Sequence, residues 1–159
     1  MDKEIDQFTS QFTSEKIEDI MWISDECYRA DKGLQDASNK IVRAFDKRPY
    51  AIGTFLGKRG KRGFAPSIAL IDIVAAKTDK TAMIDDHSAW LFLCGRDVFG
   101  KSVLSSNATR GLVIVINKKK EVLGYGEIVN PLHMNETVVI KNKLDRGDFL
   151  RREMTKGRK

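Results

Sequence analysis

The apolar positions of this chain begin on a helical period and change to a strand period near residue 50. Between residues 14 and 33, apolar or small side chains recur at Ile17, Ile20, Met21, Ser24, Cys27 and Tyr28. This is the spacing of one helical face and predicts a helix. Ser14 is placed to act as N-cap, Glu15 and Glu18 lie near the positive end of the helix dipole, and Gly33 supplies a stop. Upstream, "QFTSQFTS" sets Phe8 and Phe12 four apart, so helix can begin earlier, although two copies of four residues are not an architectural repeat. A second, shorter helix is expected over "SNKIVRAFDK", with Ser38 as cap and Pro49 barring continuation.

From there the pattern turns to strands. "YAIGTFLG" and "FAPSIALIDIVA" read as strands flanking the glycine- and charge-rich "KRGKRG". "KTDKTAMIDD" reads as a polar linker with a boundary at residues 77–80, giving domains 1–78 and 79–159. Beyond it, "AWLFLCG" reads as a strand covered on both faces, because Trp90, Phe92 and Cys94 alternate with Leu91 and Leu93. A short helix in "RDVFGKSVL" and strands in "RGLVIVIN", "EVLGYGEIV" and "ETVVIKNKL" complete the reading. The fold class expected is α+β: helices packed on a small antiparallel sheet, followed by a compact, mainly β barrel.

Composition narrows the chemistry. The 42% hydrophobic content can build a core, and no apolar run approaches the roughly 18–20 residues of a membrane span. The polar, acidic start lacks a secretory pattern, so the chain reads as cytoplasmic. Cys27 and Cys94 lie apart among apolar residues, outside any CxxC, and read as two buried thiols. With His87 and His133 the only histidines, no zinc spacing, nucleophile motif or cofactor loop is visible. A non-enzyme without metal or cofactor is expected.

Charge changes the picture more. The chain carries a formal +6, yet residues 1–36 hold ten Asp or Glu against four Lys or Arg. A body so basic favours a polyanion. Nucleic acid is preferred over an anionic membrane, which asks for a basic amphipathic helix.

"GTFLGKRGKRG" nearly spells a phosphate-binding loop. Gly53 and Gly57 enclose three residues where four are needed, Arg59 follows Lys58 where a hydroxyl is needed, and a strand is expected next where a helix is needed. It therefore reads as a hairpin turn, with Lys58, Arg59, Lys61 and Arg62 as a secondary RNA contact. Residues 140–159 hold eight Lys or Arg and three Asp or Glu. Arg151 and Arg152 follow "DFL", expected to be anchored by Phe149 and Leu150, and planar guanidinium forks suit phosphate oxygens. Lys156 and Arg158 extend the cluster. Arg96 and Lys101 bracket the expected short helix after Gly95, while Lys141 and Lys143 alternate on one strand face. Tyr125 reads as packed, so with few stacking platforms affinity is expected from phosphate contacts with modest sequence preference.

Through "LFLCGRDVFGKSVL", "RGLVIVIN", "EVLGYGEIV" and "LDRGDFLRRE", the second half resembles a PUA domain, a small RNA-binding pseudo-barrel. With "AIGTFLGKRGKRGFAPSIALIDIVA" before it, residues 38–153 resemble the Nip-seven family of large-subunit ribosome-biogenesis factors, of archaeal type. The resemblance implies a non-catalytic factor binding precursor ribosomal RNA through its PUA half, with Arg151 and Arg152 on the family's basic cluster. It also implies ribosome-assembly or RNA-processing partners, here met through the acidic amino-terminal region. An RNA-targeting accessory subunit of a modifying enzyme and an assembly scaffold are the alternatives. The family's strand pair between the first two helices has only residues 29–37 available, so the amino-terminal domain reads as trimmed.

Overall fold

The structure, a computed structural model, describes residues 3–61 and 63–156, without the side chains of residues 155 and 156. The chain divides into two compact units, Met1–Val74 and Ala75–Lys159. The first contains α1 (Lys3–Thr9), β1 (Ile20–Ile23), β2 (Glu26–Arg29), α2 (Lys32–Phe45), β3 (Thr54–Gly60) and β4 (Gly63–Pro66), and α3 (Ile68–Ala75) ends at the division. Its four strands form an antiparallel sheet in chain order. α1 buries Ile5 and Phe8, and the Phe8 ring lies 6.1 Å from Phe64.

The segment read as one long helix is instead the β1–β2 hairpin. Asp19 and Ser24 take positive φ of 60° and 54°, which a helix does not admit, and Ile23 pairs with Glu26 around a two-residue turn. Trp22 meets Phe64 at 6.2 Å, while Met21 and Ile23 pack on Tyr28, Ala30 and Ile52. The adjacent pairs Ile20–Met21 and Cys27–Tyr28 put apolar side chains on both faces of the hairpin, a spacing that coincides with a helical period. A strand pair therefore does stand between α1 and α2, where residues 29–37 alone had no room for it. α2 begins earlier than expected: Asp31 is the cap, accepting from the Leu34 N–H at 2.9 Å, and Ser38 is buried mid-helix.

"GKRGKRG" is a β3–β4 hairpin closed by the pair Gly60↔Gly63. After Pro66, "SIALIDIVA" forms helix α3, not a strand, with the Ser67 hydroxyl accepting from the Leu70 N–H at 3.2 Å. A continuous apolar run does not distinguish a buried strand from a buried helix, and here the cap decides.

The second unit contains β5 (Thr81–Ile84), α4 (Asp86–Leu93), β6 (Val98–Phe99), a 3-10 turn (Gly100–Ser102), β7 (Val103–Ser106), β8 (Gly111–Ile116), β9 (Val122–Ile128), β10 (Val138–Asp145) and α5 (Asp148–Lys156). Its six strands run β6-β10-β9-β8-β5-β7 in a curled sheet, antiparallel except for β5 beside β8. The fold is α+β, as the sequence indicated. Ala82, Ile84, Phe92, Val98, Val113, Val115, Val139 and Ile140 form its buried core.

Three expectations change here. "TAMI", taken for linker, is β5, an interior strand whose buried Ala82 and Ile84 are disguised by polar flanks. "AWLFLCG" lies mostly in helix α4, capped by Asp85, which accepts from the Ser88 N–H at 2.7 Å. Burial pushes the Asp85 carboxyl upward, but bonds from Ser88 and Ser102 outweigh it and hold the group below the ordinary aspartate value. Helical geometry leaves Trp90 and Cys94 exposed, so only Cys27 is a buried thiol. "RDVFGKSVL" gives two short strands around the 3-10 turn rather than an α-helix.

Candidate nucleic-acid interface

The second half of β10 organises the basic residues of the second unit. β10 pairs with β9 from Ile140↔Ile128 to Asp145↔Gly124, with a register shift between Asn142 and Leu144. Both Lys141 and Lys143 remain exposed beside this irregularity. The Lys143 Nζ lies 2.7 Å from Glu127 Oε2, and Lys141 stands opposite Glu127 in register.

At the strand's end Asp145 is only 2% exposed and fully engaged. Its Oδ1 accepts from the Gly147 N–H at 2.8 Å and Arg151 Nη1 at 2.9 Å. Its Oδ2 accepts from Arg151 Nη2 at 2.8 Å and Asn142 Nδ2 at 3.0 Å. Arg151 also donates to the Leu93 carbonyl, and Asn142 to the Phe92 carbonyl at 2.8 Å. Gly95, at φ +85°, leaves room for this guanidinium: a Cβ there would lie 3.2 Å from it. The network stitches the end of α4, the end of β10 and the start of α5 together. The hydrogen bonds to Asp145 raise the Arg151 pKa, so this guanidinium keeps its charge.

Arg151 is therefore a structural arginine before it is anything else, with its side chain 37% exposed. The anchor expected from Phe149 and Leu150 is absent, because both are exposed; the ion pair does the anchoring. Arg152 differs. Its Nε pairs with Asp148 at 2.7 Å on an exposed surface, a contact that an incoming phosphate can replace at small cost.

Arg96 is exposed and has no ion pair to a described residue. Its loop is tethered to β10, since Asp97 Oδ1 accepts from the Asn142 N–H at 2.9 Å. Arg96, Lys141, Lys143, Arg151 and Arg152 thus gather around one end of β10. Lys101 does not join them: its N–H donates to the Asn135 carbonyl, its Nζ pairs with Glu136 at 3.2 Å, and it lies beyond the opposite end of β10. The strand separates the two positions by roughly 20 Å, at about 3.3 Å per residue.

In the first unit, Arg59 lies inside the sheet rather than at a hairpin tip. It donates to Glu4 at 2.7 and 3.2 Å, lies 3.8 Å from Asp25, and stacks 4.9 Å above the Trp22 ring. The hydrogen bond from Arg59 draws the Glu4 carboxyl below its ordinary value. Lys58 and Lys61 are exposed. Arg62, Arg158 and the Lys156 side chain lie outside the described residues.

Tyr125 is packed, as read from the sequence: burial, with Glu127 nearby, pushes its hydroxyl up to about 12. Sequence reasoning missed Asn142 and Asp145, which stand among the charged residues of the second half of β10 and carry no distinguishing signal there. It also missed an open cavity of about 560 Å³ lined by residues that include Arg110, Asn130 and His133, contributed by two loops far apart in sequence.

Residues 80–154 match the family described as the UPF0113 PUA domain. This match spans a little under half of the chain and marks the second unit as similar to that family. Two archaeal relatives, both named UPF0113 protein, extend the likeness: one from Aeropyrum pernix is 32% identical over 117 residues, and one from Archaeoglobus fulgidus is 29% identical over 116. These alignments cover 70% and 67% of this chain, but only 64% and 65% of the relatives' lengths. A conserved PUA domain protein from Thermoplasma acidophilum shares the fold with a TM-score of 0.59 at 14% identity, over 95% of this chain and 92% of that one. A PUA domain from Aeropyrum pernix K1, solved as a tartrate complex, gives a TM-score of 0.51 at 13% identity over 76% and 85%. PUA domains are in general RNA-binding, and in the second unit, which shares their fold, the end of β10 collects exposed cations.

Proposed function

We propose that the chain is a non-catalytic, Nip-seven-like RNA-binding factor that acts inside the cell on precursor ribosomal RNA during large-subunit assembly. The observation carrying this reading is the PUA domain itself, with Arg96, Lys141 and Arg152 exposed around one end of β10. Charge supports it: residues 75–159 hold sixteen Lys or Arg against ten Asp or Glu, while residues 1–74 hold twelve of each. Arg96, Lys141 and Arg152 form the primary phosphate-contacting group in this reading. Lys143 contributes after exchanging Glu127 for phosphate, and Lys156 and Arg158 are added by their charge in the sequence. Arg151 holds that surface in place. Lys101 and the pair Lys58 and Lys61 are separate, weaker contacts.

The test is in-cell cross-linking of the tagged chain followed by sequencing of the bound RNA. Enrichment of precursor large-subunit RNA over mature RNA, lost in an Arg96→Ala/Lys141→Ala/Arg152→Ala variant, is expected. Enrichment of transfer RNA instead would favour the accessory-subunit reading and overturn the ribosomal one.

A further inference from the structure

The exposed face of α4 carries a tryptophan that the core does not use. Asp86 and Trp90 are spaced four apart, and Cys94 continues their line, its N–H donating to the Trp90 carbonyl at 3.1 Å. Trp90 is 63% exposed, while Ser88, Ala89 and Phe92 fill the buried side of the helix. Its neighbours on the exposed face are Asp86, His87 and Cys94, all exposed and none aliphatic, so the indole stands apart from any apolar stripe. A helix-in-groove partner reads anchors at i, i+3, i+4 and i+7, and this face does not offer them.

Cations stand at both ends of the same face. At the start of α4, Lys118 Nζ lies 3.1 Å from Asp86 Oδ2 and brings the β8–β9 turn, with exposed Lys119 and Lys120, alongside the helix. Asn117 fixes that turn: its Oδ1 accepts from the N–H groups of Lys119 at 3.0 Å and Glu121 at 2.9 Å. At the other end the Arg96 N–H donates to the Leu91 carbonyl at 3.0 Å, and the Arg151 guanidinium donates to the Leu93 carbonyl. The helix between the two groups is about 12 Å long, at about 1.5 Å per residue. Asp86 is the one carboxylate among the residues of α4, and Lys118 covers it.

We infer that this face is a track for single-stranded RNA, in which one unpaired base stacks on Trp90 while the flanking phosphates meet Lys118 and Lys119 on one side and Arg96 on the other. The inference rests on the RNA-binding reading above and adds to it a stacking residue, a path along α4 and a preference for unpaired strands. Cations beside an aromatic ring hold single strands without reading sequence, because every base has a π-face. A duplex keeps its bases stacked on one another and has none to give the indole.

The test titrates the full chain with a single-stranded RNA of roughly ten nucleotides, with the same sequence as a duplex, and with inorganic polyphosphate, following affinity and tryptophan fluorescence. The single strand should quench the fluorescence, whereas polyphosphate should bind without quenching. Trp90→Ala should weaken the single strand by about tenfold and leave polyphosphate binding and the thermal midpoint in place. Trp90→Phe should keep the affinity within about threefold and remove the quench, although Trp22 remains. Lys118→Ala/Lys119→Ala should weaken the single strand by about threefold or more. Single-strand binding that falls in Arg96→Ala/Lys141→Ala/Arg152→Ala but is untouched by Trp90→Ala would overturn the track and leave the RNA reading standing. A duplex bound as tightly as the single strand, or concentration-dependent dimerisation abolished by Trp90→Ala, would overturn it too. Failure of every RNA to bind would overturn both.

Discussion

Arg151 and Arg152 are neighbours in sequence with different work to do, and paired substitutions separate them. Arg151→Ala leaves the Asp145 carboxylate buried without its main partner. A fully buried broken pair costs about 3–5 kcal/mol; the partial exposure of Arg151 reduces the expected loss to about 2 kcal/mol. Arg152→Ala, removing an exposed pair, should cost less than about 0.5 kcal/mol yet weaken RNA binding by roughly three- to tenfold. Chemical denaturation alongside RNA titration reads both effects. Glu4 supplies a pH signature in the first unit. Its folded pKa is depressed by the hydrogen bond from Arg59, so the pair's contribution is complete above the ordinary value of 4.5 and is lost as pH falls through the folded pKa. The stability difference between wild type and Glu4→Gln should therefore hold constant from about pH 7 to pH 5 and shrink below that, as followed by denaturation at each pH.

Among the elements, β9 and β10 depend on close backbone approach. A Cβ at Gly124 would lie 2.0 Å from the Leu144 carbonyl oxygen, so Gly124→Ala must push the strands apart at the turn into the Asp145 network. A loss of about 3–4 kcal/mol is expected, with amide-exchange protection falling first at residues 142–146. The strands most legible in sequence were β8, β9 and β10, where apolar alternation or runs are bounded by charged turns. Those least legible were β1 and β2: their four-residue strands are too short for a period of 2 to outcompete a coincidental period of 3.6. α3 and α4 failed for the opposite reason, being apolar on nearly every side, and only Ser67 and Asp85 as caps distinguished them from strands. The basic cluster was legible as charge, because cations crowd the carboxyl end. That Arg151 is spent on Asp145 was not, since the pairing depends on a chain reversal at Gly147 that brings α5 back onto β10.

At the scale of the whole molecule, net charge divides between the units. The second unit carries the net positive charge, whereas the first is electrically balanced. RNA affinity should accordingly depend on salt mainly through the second unit. Three or four phosphate contacts give a log–log salt slope of roughly −2 to −3 on single strands, at about 0.7 per contact. The most direct test is an RNA titration at several salt concentrations, comparing wild type with Arg96→Ala/Lys141→Ala/Arg152→Ala. The account predicts that the folded triple variant binds more weakly and flattens the slope by about 2. An unchanged slope, or a wild-type chain that does not bind RNA at all, would contradict it.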